Sequence, residues 1–266
     1  MDYSRYENLI VEKKDKVAIV TMNLPDALNA VTFELHRELV HVFEDLVWDD
    51  EVWAVVLTGA GRAFSTGGDI RWIKAQAEDP ENNPHPPIEE TINIIGNIID
   101  LPKPVIAAVN GPCIGLGASL ALSCDIIIVA ENARIADPHV RVGLSAGDGG
   151  CVVWPLLMGM AKAKEYLFTG DALDLKEAER NGIINKVVPH DQLMPEAMAF
   201  AQRLVTDIPP LAIKYTKMAI NKIVSERLNL VLPTSISLEM MCFQTNDLKE
   251  AVNAFLEKRK PHFTGT

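Results

Sequence analysis

The chain has no apolar run approaching the roughly 18 residues that a membrane-spanning helix needs. Hydrophobic residues still make up 48% of its 266 positions, enough for a sizeable core. That length fits one large domain, with or without a helical appendage. Cysteine is scarce: Cys113, Cys124, Cys151 and Cys242 are scattered, with no C-x-x-C spacing. A disulfide framework is therefore not expected, and free thiols in a reducing cytoplasm are. Positive charge is short too, with 25 Lys and Arg against 36 Asp and Glu, a net −11. Such a balance repels nucleic acid unless a local basic patch intervenes. The nearest candidate, "EKRKPH" at 257–262, is brief and mixed in sign. The opening "MDYSRYENLIVEKK" is too polar for a secretory leader. The expectation is a cytoplasmic protein with neither membrane nor nucleic acid as a partner. No metal-ligand cluster is visible in the sequence. The P-loop pattern is missing, and the G-x-G at 115–117 lacks the third glycine of a dinucleotide site.

What is present is an alternation of short strands and helical patterns. "NLIVEKK" and "KVAIVTMN" read as two strands joined by a tight turn. "TFELHRELVHVFEDLVWD" carries apolar residues at helical spacing, with Thr32 placed to cap it. "VWAVVLTG" and "PVIAAVNG" read as buried strands, "IGLGASLALSCD" as a helix, and "IIIVAE" and "ARIAD" as strands. The recurrence suggests a layered α/β spiral. From about residue 195 the pattern turns helical, with separate helices expected in "PPLAIKYTKMAINKIV" and "LVLPTSISLEMMCF". Residues 76–89, rich in Pro, Asn and acid, read as a loop, either a solvated connection or a lid.

Two strand-to-helix junctions are glycine-rich: "GRAFSTGGDI" at 61–70 and "NGPCIGLGASL" at 110–120. Such turns leave backbone N–H groups pointing outwards. Two of them aimed at one oxygen would stabilise a carbonyl as it becomes an oxyanion. Either turn alone is also ordinary turn chemistry.

Together, "LPDALNAVT", "GAGRAFSTGGDI", "KPVIAAVNGPCIGLGASLALSCDIIIVAENARIA" and "AFLEKRKPHF" resemble the enoyl-CoA hydratase/isomerase (crotonase) superfamily, in order and along nearly the whole chain. The resemblance implies an α/β fold: a crotonase-type spiral of ββα repeats with a helical C-terminal trimerisation region. The division would be an acyl-CoA-binding core at 1–195 and an oligomerisation region at 196–266. It implies oxyanion-hole amides on Gly68 and Leu116. Backbone around Ala27, Leu28, Ala30, Ser65 and Thr66 would line the path of the coenzyme A moiety, with Arg62 near its phosphates. Phe255 and Lys258 would reach the nucleotide of a neighbouring subunit, core packing being the other reading of Phe255. The assembly would be a homotrimer or a dimer of trimers. No cofactor is implied beyond the coenzyme A of the substrate. Asp69 has a catalytic reading as well, but a helix cap, which needs no chemistry, is the expectation.

The chain departs from the family where standard hydratases keep two glutamates. Those positions hold Ser119 and His139. The stretch "DPHVRVGLSAGDGGCVVWP" is similar to the 6-oxocamphor hydrolase branch, in which a His and an Asp at this nine-residue spacing form a dyad. That resemblance makes His139 and Asp148 catalytic candidates, a buried histidine and a turn aspartate being the other reading. A neutral imidazole takes a proton from water near neutrality, and a carboxylate on its other nitrogen fixes the tautomer. The expected activity is water addition to an acyl-CoA thioester with a His/Asp pair in place of the glutamates. Retro-Claisen cleavage of a β-diketone, double-bond isomerisation and acyl-CoA binding without turnover remain open. Space beside Gly117 and Ser119, with Trp154 as an apolar wall, suggests a bulky or cyclic acyl group.

Overall fold

A computed structural model describes all 266 residues. Strands β1 (Leu9–Lys14) and β2 (Val17–Met22) form the expected hairpin, with Leu9 opposite Met22 and Lys14 opposite Val17. Its two-residue turn, Asp15 and Lys16, has positive φ at both positions, 48° and 67°, as hairpins whose twist matches their strands require. Helix α1 (Phe33–Trp48) starts where Thr32 accepts a hydrogen bond from the Leu35 amide. Then come β3 (Ala54–Gly59), α2 (Ile70–Glu78), α3 (Ile88–Asp100), β4 (Val105–Val109), β5 (Pro112–Ile114) and α4 (Leu116–Leu122). Strands β6 (Ile126–Ala130) and β7 (Arg134–Ala136) lead into α5 (Gly150–Met158), α6 (Met160–Thr169) and α7 (Leu175–Arg180). The chain closes with β8 (Lys186–Val188), α8 (Leu193–Asp207), α9 (Pro210–Cys242) and α10 (Asn246–Leu256).

The main sheet runs β1-β2-β3-β4-β6-β8, parallel beyond the hairpin, and β5 pairs with β7 in a second, two-stranded sheet. This is the mixed α/β spiral the sequence suggested. The strand period of two sorts the core. Val55, Leu57, Val105, Ala107, Ile127 and Val129 face a large core under α1, α3 and α4. Val56, Ile106, Ala108 and Ile128 face a smaller core closed by Leu193, Ala197, Ala201 and Val205 of α8. The expected division at 195/196 therefore passes through a helix that covers the sheet. No helix is long and apolar enough to cross a membrane.

Two other expectations change. The two helices expected between 209 and 243 are one helix, α9, with Pro233 inside it. Pro233 is solvent-exposed, so the carbonyl it leaves unpaired one turn back meets water, while buried Leu232, Ser235 and Ile236 hold the helix in place. The loop expected over 76–89 shrinks to 79–87, because α2 extends through buried Gln76 and Ala77.

Candidate active site

The turn after β3 is built from its own polar groups. The Ser65 hydroxyl is buried, donates to the Asn29 carbonyl at 2.7 Å and accepts from the Gly67 amide at 3.2 Å. The Ser65 amide and carbonyl bond to Pro112 and Ile114. Ser65 thus secures the turn and presents nothing to a ligand. The Thr66 amide bonds the Leu28 carbonyl at 3.2 Å, which joins this turn to the 27–30 segment. Gly67 has φ of +78°, and a β-carbon there would lie 2.6 Å from the Ile114 carbonyl oxygen and 3.4 Å from the Leu116 nitrogen. Only glycine lets the two junctions approach this closely. The Gly68 amide donates to no protein acceptor. Leu116 opens α4, so its amide has no acceptor in its own helix. Gly68 and Leu116 line one cavity. Asp69 caps α2, accepting from the Arg71 amide at 2.7 Å.

His139 and Asp148 line the same cavity. The imidazole is buried between two carboxylates: Nδ1 lies 2.5 Å from Asp137 Oδ1 and Nε2 lies 3.3 Å from Asp148 Oδ2. The Ser119 hydroxyl donates to Asp148 Oδ1 at 3.3 Å. This corrects the expected dyad. Asp137, not Asp148, holds Nδ1 and sets the ring's orientation, while Asp148 sits at Nε2, on the cavity side. Burial by itself would push the imidazole pKa down, but the charges of Asp148 and Asp137 outweigh it and hold it well above the ordinary value. His139 is therefore an imidazolium near neutrality, not the neutral base expected. These three residues offer ligand atoms within 4.8 Å of one another. The carboxylates occupy opposite ring nitrogens, however, so an ion at Nε2 would leave Asp137 across the ring. The arrangement fits a proton relay better than a cation site.

The sequence reading missed two further cavity residues. Glu239 comes from α9, and His36 comes from α1. Burial, reinforced by the Asp148 and Asp137 charges and offset by His139, pushes the Glu239 carboxyl up to about 8. The shift favours its protonated form. Burial pushes His36 down to about 4, with Asp148 opposing weakly, so that ring is neutral. His85 and Pro86 of the 79–87 segment complete the wall, and the His85 ring sits edge-on to Phe243 at 4.2 Å. The segment thus contributes one side of the cavity.

Glycines make room for these side chains. A β-carbon at Gly115 would lie 3.2 Å from His139 Cε1, and one at Gly149 would lie 3.1 Å from Ser119 Cβ. Gly147 and Gly150 would clash with the Glu239 and Asp137 carboxylates. The bulky-substrate argument loses its basis. Gly117 is pressed against Ser65 rather than bordering free space, with a would-be β-carbon 2.7 Å from its carbonyl oxygen. Trp154 is fully buried against Tyr166 and is no cavity wall.

The remaining predicted ligand residues lie apart from this cavity. Ala27 and Arg62 are exposed, Leu28, Ala30 and Thr66 are half-buried, and Arg62 forms no ion pair. Phe255 is 62% exposed near the end of α10, which removes core packing as its role. Lys258, just beyond, is exposed with φ of 56°.

Comparison with known proteins places these features in context. Residues 12–266 match the family model described as enoyl-CoA hydratase/isomerase. A short-chain-enoyl-CoA hydratase of Clostridium acetobutylicum is 41% identical over 260 residues, covering 95% of this chain and 96% of that protein. A crotonyl-CoA hydratase of Syntrophomonas wolfei is 34% identical, covering 97% of this chain and 98% of that protein. The crystal structure of an enoyl-CoA hydratase/isomerase from Mycobacterium paratuberculosis superposes with a TM-score of 0.88 at 37% identity, covering 94% of this chain and 99% of that one.

Proposed function

Because the chain belongs to the enoyl-CoA hydratase/isomerase family, we propose that it adds water across the double bond of an α,β-unsaturated acyl-CoA, with a His/Asp/Glu set in place of two glutamates. The observation that carries this reading is the paired amides of Gly68 and Leu116 opening on the cavity that holds His139, Asp148 and Glu239. The thioester oxygen would accept from the two amides and become an enolate oxygen as water attacks the β-carbon. Asp148, charge-paired with the His139 imidazolium, takes the water proton as the new C–O bond forms. Glu239, neutral before the reaction, gives its proton to the α-carbon and is then reprotonated from the Asp148–His139 pair. Atoms and charge balance over the cycle, and no cofactor is needed beyond the coenzyme A of the substrate.

The nucleotide end of the substrate would lie along Ala27, Leu28 and Ala30, with Arg62 at the phosphates. Phe255 and Lys258 would serve a neighbouring copy in a trimer or dimer of trimers. Leu211, Tyr215, Met218, Ile223, Leu230 and Met241 support that assembly, since all are at least 54% exposed on α9.

Incubation with crotonyl-CoA, with the product read by mass spectrometry, tests the chemistry. Hydration by the wild type and at least a hundredfold slower turnover by His139→Ala are expected. A wild-type rate in that variant would refute the assignment. Hydrolytic C–C cleavage is the second reading, in which the same Glu239 would protonate the carbanion released by the broken bond. It predicts no hydration product and two fragments from a β-keto thioester.

A further inference from the structure

His36 is not an ordinary core histidine. It is 4% exposed, and its companions on the buried stripe of α1 are Leu35, Leu39, Val40, Val42, Phe43 and Leu46. A histidine buried in such company normally hydrogen-bonds to the protein. Nδ1 of the His36 ring is sealed from solvent and has no hydrogen-bond partner. Its ring borders the cavity shared by Gly68, Leu116, His139 and Asp148. The same wall carries apolar Ile73, Ile94, Leu144 and Ile236 as well as polar Gln76 and Thr91. An aliphatic side chain would fill the site better if the acyl group were a plain hydrocarbon, because an unpaired buried imidazole costs free energy.

We propose that His36 is a specificity-determining residue whose imidazole hydrogen-bonds a second oxygen, a ketone or hydroxyl, carried on the acyl chain away from the thioester. The inference rests on the acyl-CoA reading of this cavity. Burial keeps His36 neutral through the physiological range, so it would recognise an oxygen by a hydrogen bond and not by charge attraction. It would discriminate more by rejecting substrates that leave it unpaired than by attracting those that do not.

Equilibrium binding of two saturated probes, 5-oxohexanoyl-CoA and hexanoyl-CoA, tests this without turnover. The wild type should bind the oxo compound at least tenfold more tightly. His36→Leu should erase that preference by tightening hexanoyl-CoA and weakening its partner. His36→Gln, which keeps a donor and an acceptor, should restore part of it. Equal binding of the two probes by the wild type would overturn the inference and leave the acyl-CoA reading standing. So would a His36→Leu variant that fails to fold or weakens both probes alike, since either marks a structural residue. Binding of neither probe would sink both readings.

Discussion

Asp137 and Asp148 flank one imidazole, yet their roles differ and can be separated. Asp137 is buried behind the ring, with Oδ1 on Nδ1. Asp137→Asn offers an amide of the same shape and no charge. It should lower kcat a hundredfold or more while leaving the dissociation constant for a saturated acyl-CoA within about threefold, because the ring loses its anchor and its imidazolium character. Equal losses in kcat and binding would point to a collapsed site instead. Glu239 supplies a pH signature. Its carboxyl titrates near 8, so hydration should fall as pH rises through about 8, and a profile flat to pH 10 would remove it as the acid. The same shift bears on stability. The folded chain holds the proton above the ordinary carboxylate value and the unfolded chain does not, so stability declines between about pH 4.5 and 8. Melting temperatures of Glu239→Gln should not show that decline. His139 and Asp148 were legible in the sequence because their stretch resembles one in which a His and an Asp at this spacing form a dyad. Asp137 was in plain view in the same motif. Its role depends on which ring nitrogen it meets, and spacing does not encode that.

At the scale of elements, α9 was the hardest to read. Its proline and mixed pattern suggest a break, but packing overrides local preference along its length. The amino-terminal half is tied to the end of α3 and the start of β4. Buried Lys217 donates to the Ile98 and Lys103 carbonyls and to Asp125 Oδ2 at 2.7 Å, and Asn221 donates to the Ile99 carbonyl. Removing one partner of such a pair strands the other charge. Lys217→Met should therefore destabilise the fold by about 3 kcal/mol, read from chemical denaturation. A loss below about 1 kcal/mol would mean that water reaches Asp125 and the tie is superficial. In the other half, Ser235 donates to the Gly147 carbonyl at 2.8 Å, next to Asp148. Glu239 and His36 went unread for a related reason. Each is one polar residue in an amphipathic helix, about a hundred residues from the motif, and only the tertiary fold makes them neighbours. The strands and α1 were legible because short apolar runs ending in turns and a capping threonine are local signals, whereas the strand order is a tertiary property.

For the whole molecule, the apolar face of α9 carries the expectation of self-association. Leu230 and Met241 are 65% and 64% exposed. Light scattering should give a mass three or six times that of one chain, and Leu230→Glu with Met241→Glu should lower it. A wild-type monomer at micromolar concentration would refute the assembly. The length of α9 has one more consequence. Its 33 residues span about 50 Å at 1.5 Å per residue, anchored at one end by Lys217 and delivering Glu239 at the other. Glu239 is held in place by a long tail segment and not by the sheet that frames the rest of the site. On gentle heating, α9 would loosen from α3 and α5 before the sheet melts. The enzyme would then fall silent while still looking folded by circular dichroism, with amide exchange rising first along residues 230–242.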